Sequence, residues 1–217
     1  MDFDAARRHM VDSQVRPNDV TDLAIINALS TVQREQFLPS SIRQQAYVER
    51  ELSYGDGRCL VTARNFAKLL EAATPTRKDL ALDIGCGGGY STAVLARLCE
   101  MVVAVESDEA LAAKAQEIWS SHEIDNAAVV EADLAAGAKG QGPFDLIVIA
   151  AAVEDVPQAL LAQLKDGGRL ATFLMQDGVC RGVLVVRSKN TFTVKPQFDA
   201  TARAVLPGFE ATKSFTF

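Results

Sequence analysis

Apolar residues recur at helical spacing through the first third of the chain and as short unbroken runs through the rest. Residues 5–15 and 21–32 carry the three-and-four spacing of amphipathic helices, divided by Arg16-Pro17-Asn18, where proline and asparagine break the pattern. Residues 62–73 repeat it, with Phe66, Leu69, Leu70 and Ala73 on one face and Thr62 placed as the N-cap. Thr74-Pro75-Thr76 then divides a helical preface, residues 1–75, expected to pack on the rest, from a core, residues 76–217. In the core, apolar runs at 80–84, 101–105, 127–130, 144–150 and 164–170 predict strands. Helices are expected between them, over 91–98, over 108–121 and from Asp155-Val-Pro157, with aspartate as cap and proline in the first turn. Alternation of this kind means βαβ units, a parallel sheet and right-handed crossovers. The runs at 182–187, 191–194 and 214–217 follow one another without helices, which predicts antiparallel strands at one sheet edge.

The junction after the first core strand carries the chemistry. Leu80-Ala-Leu-Asp-Ile-Gly-Cys-Gly-Gly-Gly-Tyr90 reads as strand, glycine turn and helix start, with glycines at Gly85, Gly87 and Gly89. Ligands bind such turns at the carboxyl ends of parallel strands because glycine lets the backbone approach closely. A dinucleotide fingerprint needs its third glycine at position 90, which is Tyr90. Asp83 would repel a pyrophosphate but suits a ligand carrying an ammonium or sulfonium. Both details point away from NAD and toward S-adenosylmethionine. The second strand ends in Glu106, seventeen residues after Gly89, where an acid can accept hydrogen bonds from both ribose hydroxyls. The third leads into Glu131-Ala-Asp133-Leu134, where Asp133 can take the adenine amino group and Leu134 can pack on the ring. The expected cofactor site is therefore Asp83, Gly85, Gly87, Gly89, Glu106, Asp133 and Leu134. The expected fold is α/β, a doubly wound, Rossmann-like, seven-stranded, mostly parallel sheet of the S-adenosylmethionine-dependent methyltransferase type, with an antiparallel C-terminal edge.

Charge and composition narrow the partners. The 217 residues carry a net charge of −6, and no Lys/Arg run exceeds two residues, which argues against nucleic acid or an anionic membrane surface. The longest apolar run, residues 146–153, is too short to span a bilayer, and the first residues lack the apolar core of a signal peptide. Cys59, Cys86, Cys99 and Cys180 form no C-x-x-C pair and have only His9 and His122 beside them, so no metal site is expected. Reduced thiols in a cytoplasmic protein are the natural reading. Cys86 reads as a small spacer in the glycine turn, Trp119 as core or half-buried, His122 as a helix-end residue and His9 as a surface one.

Across nearly its whole length the chain resembles the protein-L-isoaspartate O-methyltransferases. The specific stretches are Met10-Val-Asp-Ser-Gln-Val-Arg16, Val32-Gln-Arg-Glu-Gln-Phe-Leu-Pro39, Ala46-Tyr47 and Leu52-Ser-Tyr-Gly-Asp-Gly57. Pro143-Phe-Asp-Leu-Ile-Val-Ile-Ala-Ala-Ala152, Val156-Pro157 and Gln163-Leu-Lys-Asp-Gly-Gly-Arg-Leu170 continue it. The resemblance breaks after Gly57. The family usually carries Gln-Thr-Ile-Ser-Ala-Pro-His there, with an active-site serine; this chain reads Arg58-Cys-Leu-Val-Thr-Ala-Arg64, so Val61 stands at the serine's place. No catalytic residue is carried over. Thr62 offers a hydroxyl one position on, and Arg64 a fork that could grip a carboxylate, against their readings as a helix cap and a solvated charge.

The resemblance implies methyl transfer to isoaspartyl or related carboxylates in proteins or peptides, a protein-repair activity. The altered stretch keeps two alternatives open: the same fold with a different acceptor, or a non-catalytic S-adenosylmethionine-binding regulator. Oligomeric state, and whether Phe215 and Phe217 close a pocket, are not legible in the sequence.

Overall fold

A computed structural model describes residues 2–55 and 57–211. The preface opens with helix α1 (Phe3–Met10), capped by Asp2, which accepts from the Ala5 amide. The chain keeps turning beyond it, first as a π-helical segment (Val11–Val15) and then as a 3-10 turn (Arg16–Asn18) holding Pro17. Helix α2 (Leu23–Thr31) is capped by Asp22. The preface is not helical throughout, because strands β1 (Leu52–Gly55) and β2 (Arg58–Leu60) form an antiparallel hairpin. Those strands are too short for an alternating pattern to declare itself. Helix α3 (Ala63–Ala73) follows, with Thr62 as its N-cap.

The core alternates as expected at first: β3 (Leu80–Ile84), α4 (Tyr90–Ala96), β4 (Met101–Glu106), α5 (Glu109–Ser121) and β5 (Ala127–Glu131). The crossover from β5 to β6 (Phe144–Val153) holds only a 3-10 turn, Leu134–Ala136. Helix α6 is one turn long (Gln158–Leu161), and Pro157 sits at its cap position where Asp155 was expected. Asp155 instead accepts from the adjacent Val156 amide. Strands β7 (Leu164–Gln176), β8 (Val179–Ser188) and β9 (Thr191–Asp199) complete the sheet. The C-terminal run at 214–217, with Phe215 and Phe217, lies outside the described residues.

The seven-stranded order is β5-β4-β3-β6-β7-β8-β9, parallel from β5 to β7 and antiparallel at β8 and β9. From β3 the chain first moves outward to β4 and β5, then returns to β6 on β3's other side. That reversal leaves a crevice at the carboxyl ends of β3 and β6, where open α/β sheets bind ligands. Both sheet faces are covered, so β6 is apolar without interruption from Leu146 to Val153. Leu146 and Val148 join the cluster that includes α3, α4 and the preface, while Ile147 and Ile149 join the cluster on the opposite face.

The preface shares that first cluster, which runs from Met10, Leu29 and Phe66 to Ala171 and Phe173. Arg169 adds a polar tie, donating to the Ala73 and Thr74 carbonyls and to Asp79. The family-like stretch at 32–47 builds a buried polar knot. Arg34 donates to the Ala46 and Val61 carbonyls and lies over the Tyr90 ring, and Tyr47 donates to Glu35 while accepting from Arg7. Beyond β9 the chain returns over the carboxyl edge of the sheet: the Leu206 amide donates to the Ala152 carbonyl at 2.8 Å, and Leu206 and Phe209 are buried.

Candidate active site

The crevice is floored by the glycine turn. Gly85, Gly87 and Gly89 take φ values of 68, 54 and 92°, a region that side-chain-bearing residues rarely adopt. The Gly85 amide donates to the Val105 carbonyl at 2.8 Å, which holds the turn against the end of β4. Trp119, fully buried on α5, donates from its indole nitrogen to the Gly89 carbonyl at 3.0 Å and packs where a Cβ at Gly89 would lie. Cys86 is buried within the turn.

Asp83 is fully buried near the end of β3. Its Oδ2 accepts from the Ser91 and Thr92 hydroxyls at 2.6 Å each, pinning the start of α4, while Oδ1 accepts no hydrogen bond from the described residues. Burial pushes its carboxyl up to about 6, against the lowering effect of the two hydroxyls. A carboxyl with a raised folded-state value binds its proton more tightly when folded. That contribution is therefore present below its ordinary value of 3.8 and is lost as pH climbs through about 6. Asp83→Asn should consequently gain on the wild type by roughly 3 kcal/mol between pH 4 and pH 7. Urea denaturation of both proteins across that range checks it; a constant difference would contradict it.

Glu106, at the tip of β4, is also fully buried, and both of its oxygens are engaged. Oε1 accepts from the Ser107 and Asp108 amides at 2.8 and 3.1 Å, and Oε2 from the Gly87 amide at 2.8 Å. Its remaining partner is Arg58 on β2, which is itself 5% exposed. Arg58 Nε lies 3.2 and 3.1 Å from the two oxygens, Nη2 lies 2.5 Å from Oε1, and Nη2 also reaches the Ser107 hydroxyl at 2.9 Å. Burial alone would raise Glu106, but Arg58's hydrogen bonds and charge and the Asp108 and Gly87 amides outweigh it, so the carboxyl stays below its ordinary range.

Two more side chains cover the turn. Tyr54 on β1 lies over Gly87, where an added Cβ would overlap its hydroxyl. Leu206 packs on Gly85, with Leu134 close behind. Asp133 is exposed at the tip beyond β5, where its Oδ1 accepts from the Ala135 and Ala136 amides. The structure thus gathers the glycine turn, Asp83, Glu106 and Leu134 at one edge of the sheet, with Asp133 at its rim. The polar groups that an adenosyl ligand needs are present in kind, including the unengaged Asp83 Oδ1 and the glycine cradle. In this conformation Arg58, Tyr54 and Leu206 fill the cradle.

Arg58, Tyr54 and Leu206 are what sequence reasoning missed. For Arg58 a signal was available: a charged residue beside apolar neighbours in a short run, at the place where the family carries glutamine.

The altered stretch lies beside this crevice. Val61 is buried in the core, and its carbonyl accepts from Arg34. Thr62 serves as the α3 cap, its hydroxyl accepting from the Asn65 amide at 3.1 Å. Arg64 is held by Asn18 at 2.9 Å and Asn65 at 3.1 Å, so it is oriented rather than free in solvent. Thr62 and Arg64 line a groove of about 580 Å³ together with Arg50, Glu51, Thr201 and Arg203. The remaining candidates lie elsewhere. His9 is exposed, and His122 ends α5, its Nδ1 2.9 Å from the Ile118 carbonyl. Among the described residues no group of His, Cys, Asp and Glu is arranged to hold a metal.

A glycine turn after β3, an acid at the tip of β4 and a seven-stranded sheet with this order define an S-adenosylmethionine-dependent methyltransferase. The model of the protein-L-isoaspartate(D-aspartate) O-methyltransferase family matches residues 5–200, and the chain belongs to that family. The protein-L-isoaspartate O-methyltransferase of Opitutus terrae is 38% identical over 164 residues, covering 76% of this chain and 70% of the relative. That of Koribacter versatilis is 35% identical over 168 residues, covering 77% and 76%. A Plasmodium falciparum structure described as a putative member in complex with S-adenosyl-L-homocysteine superposes with a TM-score of 0.77 at 18% identity, over 92% of this chain and 98% of that one.

Proposed function

We propose that this chain methylates carboxylates of isoaspartyl or related residues in proteins or peptides, with S-adenosylmethionine as donor. The family match across residues 5–200, with Glu106 kept at the strand tip, carries the reading. Glu106 would hold the ribose, Asp133 and Leu134 the adenine, and the Gly85–Gly89 turn and Asp83 the remainder. The cofactor supplies an electrophilic methyl on a sulfonium. An acceptor carboxylate is already ionised at neutral pH, so the protein's task is to position it and exclude water, with no general base. The groove beside Val61 suits that task, because Arg64, held by Asn18 and Asn65, presents an oriented guanidinium next to the Thr62 hydroxyl. The net charge of −6 and the lack of basic runs favour a protein acceptor over nucleic acid or an anionic membrane. No helix among the described residues is long and apolar enough to cross a membrane. With four unpaired cysteines, this supports a cytoplasmic setting.

Val61 favours a second reading, a changed acceptor. It is buried and has no hydroxyl at the place of the family's serine. Transfer of labelled methyl to an isoaspartyl peptide, beside its aspartyl counterpart and a mixture of cell proteins, separates the two. Label on the isoaspartyl peptide alone is the expected result. Label on proteins but on neither peptide establishes a changed acceptor, and no label despite cofactor binding establishes a non-catalytic binder.

A further inference from the structure

We propose that Arg58 and Tyr54 form a latch over the nucleoside cleft, so that an adenosyl cofactor enters only when the Arg58–Glu106 pair opens. The inference rests on the reading above that Glu106 is the ribose acid. Three observations carry it.

The first is the residue at position 58. It is an arginine, which brings both a charge and a planar fork into the cleft. Two of the fork's nitrogens face the carboxylate: Nε reaches both Glu106 oxygens, and Nη2 adds a third contact at 2.5 Å. The second is saturation. The Gly87, Ser107 and Asp108 amides also converge on Glu106, so ribose hydroxyls could bind it only by replacing the guanidinium. The third is occupancy of the turn. Tyr54, four residues before Arg58 on the same hairpin, lies directly against Gly87, its hydroxyl where a Cβ there would sit.

The hairpin's base is anchored by Leu52 and Leu60, which are buried in the core cluster, so release of the cleft falls to the side chains of Tyr54 and Arg58. Among the described residues β1 and β2 pair with each other and with no further strand, and their register slips between Ser53 and Gly55. An isolated two-stranded ribbon of this length is marginally stable by itself. Beyond that anchor its position is set by what its side chains grip, and Arg58 and Tyr54 grip the cofactor cleft. A ligand that binds only the open form has its apparent affinity reduced by the fraction of molecules that are open.

Calorimetric titration with S-adenosylhomocysteine tests this. Arg58→Gln, which removes the charge while keeping a side chain that can hydrogen-bond, should bind at least about tenfold more tightly than the wild type. Arg58→Lys keeps the charge but cannot span both oxygens, and it should fall between the two; it decides the matter if the glutamine variant does not fold. Equal or weaker affinity in the variants overturns the latch while leaving the nucleoside site in place. Absence of binding by the wild type and by both variants, each shown folded by circular dichroism, overturns the nucleoside assignment as well.

Discussion

Replacing Glu106 by alanine should destabilise the protein by about 3–5 kcal/mol, because it removes the carboxylate that balances the buried Arg58 guanidinium at close range. Arg58 is 5% exposed and Glu106 fully buried, so water screens neither charge. The same change leaves the Gly87, Ser107 and Asp108 amides without their acceptor, which adds to the cost. Exchanging both partners for glutamine should restore much of the loss, since a neutral pair can still hydrogen-bond and carries no Born penalty. Urea denaturation of Glu106→Ala, of Glu106→Gln and Arg58→Gln singly, and of the glutamine double checks this. Additive losses would show that the two side chains act independently.

Trp119→Ala should cost about 3–5 kcal/mol, the range for removing a large buried aromatic. The indole is fully buried between α5 and the glycine turn, and it satisfies the Gly89 carbonyl. Its loss should also loosen the turn: amide hydrogen exchange around residues 85–90 should accelerate by more than exchange in β6. A denaturation midpoint close to that of the wild type would mean that the cavity collapses at little cost. The change is expected to weaken nucleoside binding indirectly, through the Gly89 backbone rather than through any contact with the ligand.

Much of the architecture was legible because its signals are local. Parallel strands buried on both faces need apolar runs, and β3, β4 and β6 carry them, broken only by Asp83, by Glu106 at the tip of β4 and by Asp145 near the start of β6. The glycines that bend the turn after β3 act through their own φ angles, so Gly85, Gly87 and Gly89 announced the turn directly. Thr62 capped its helix as its spacing predicted. The errors fell where local signals are faint. A hairpin of three- and four-residue strands inside the preface has no period to detect. Pro157, expected in the first turn of α6, took the cap position itself in a helix of a single turn.

The state of the candidate site belongs to the other class of fact. Composition and local pattern put an acid at the end of β4, and nothing within reach of it in the chain says what it faces. Its partner comes from 48 residues earlier, on a hairpin whose docking depends on the whole fold. The covering of Gly85 by Leu206 depends on a C-terminal segment returning across the sheet to bond Ala152. A charged residue in a short apolar run reads the same in sequence whether water or a carboxylate receives it. Periodicity and turn chemistry report which way each residue faces along its own element, whereas burial and pairing are set by elements distant in sequence. The chain therefore specifies its sheet, its turn and its family locally, while the fold as a whole puts Arg58 on Glu106 and closes the cleft.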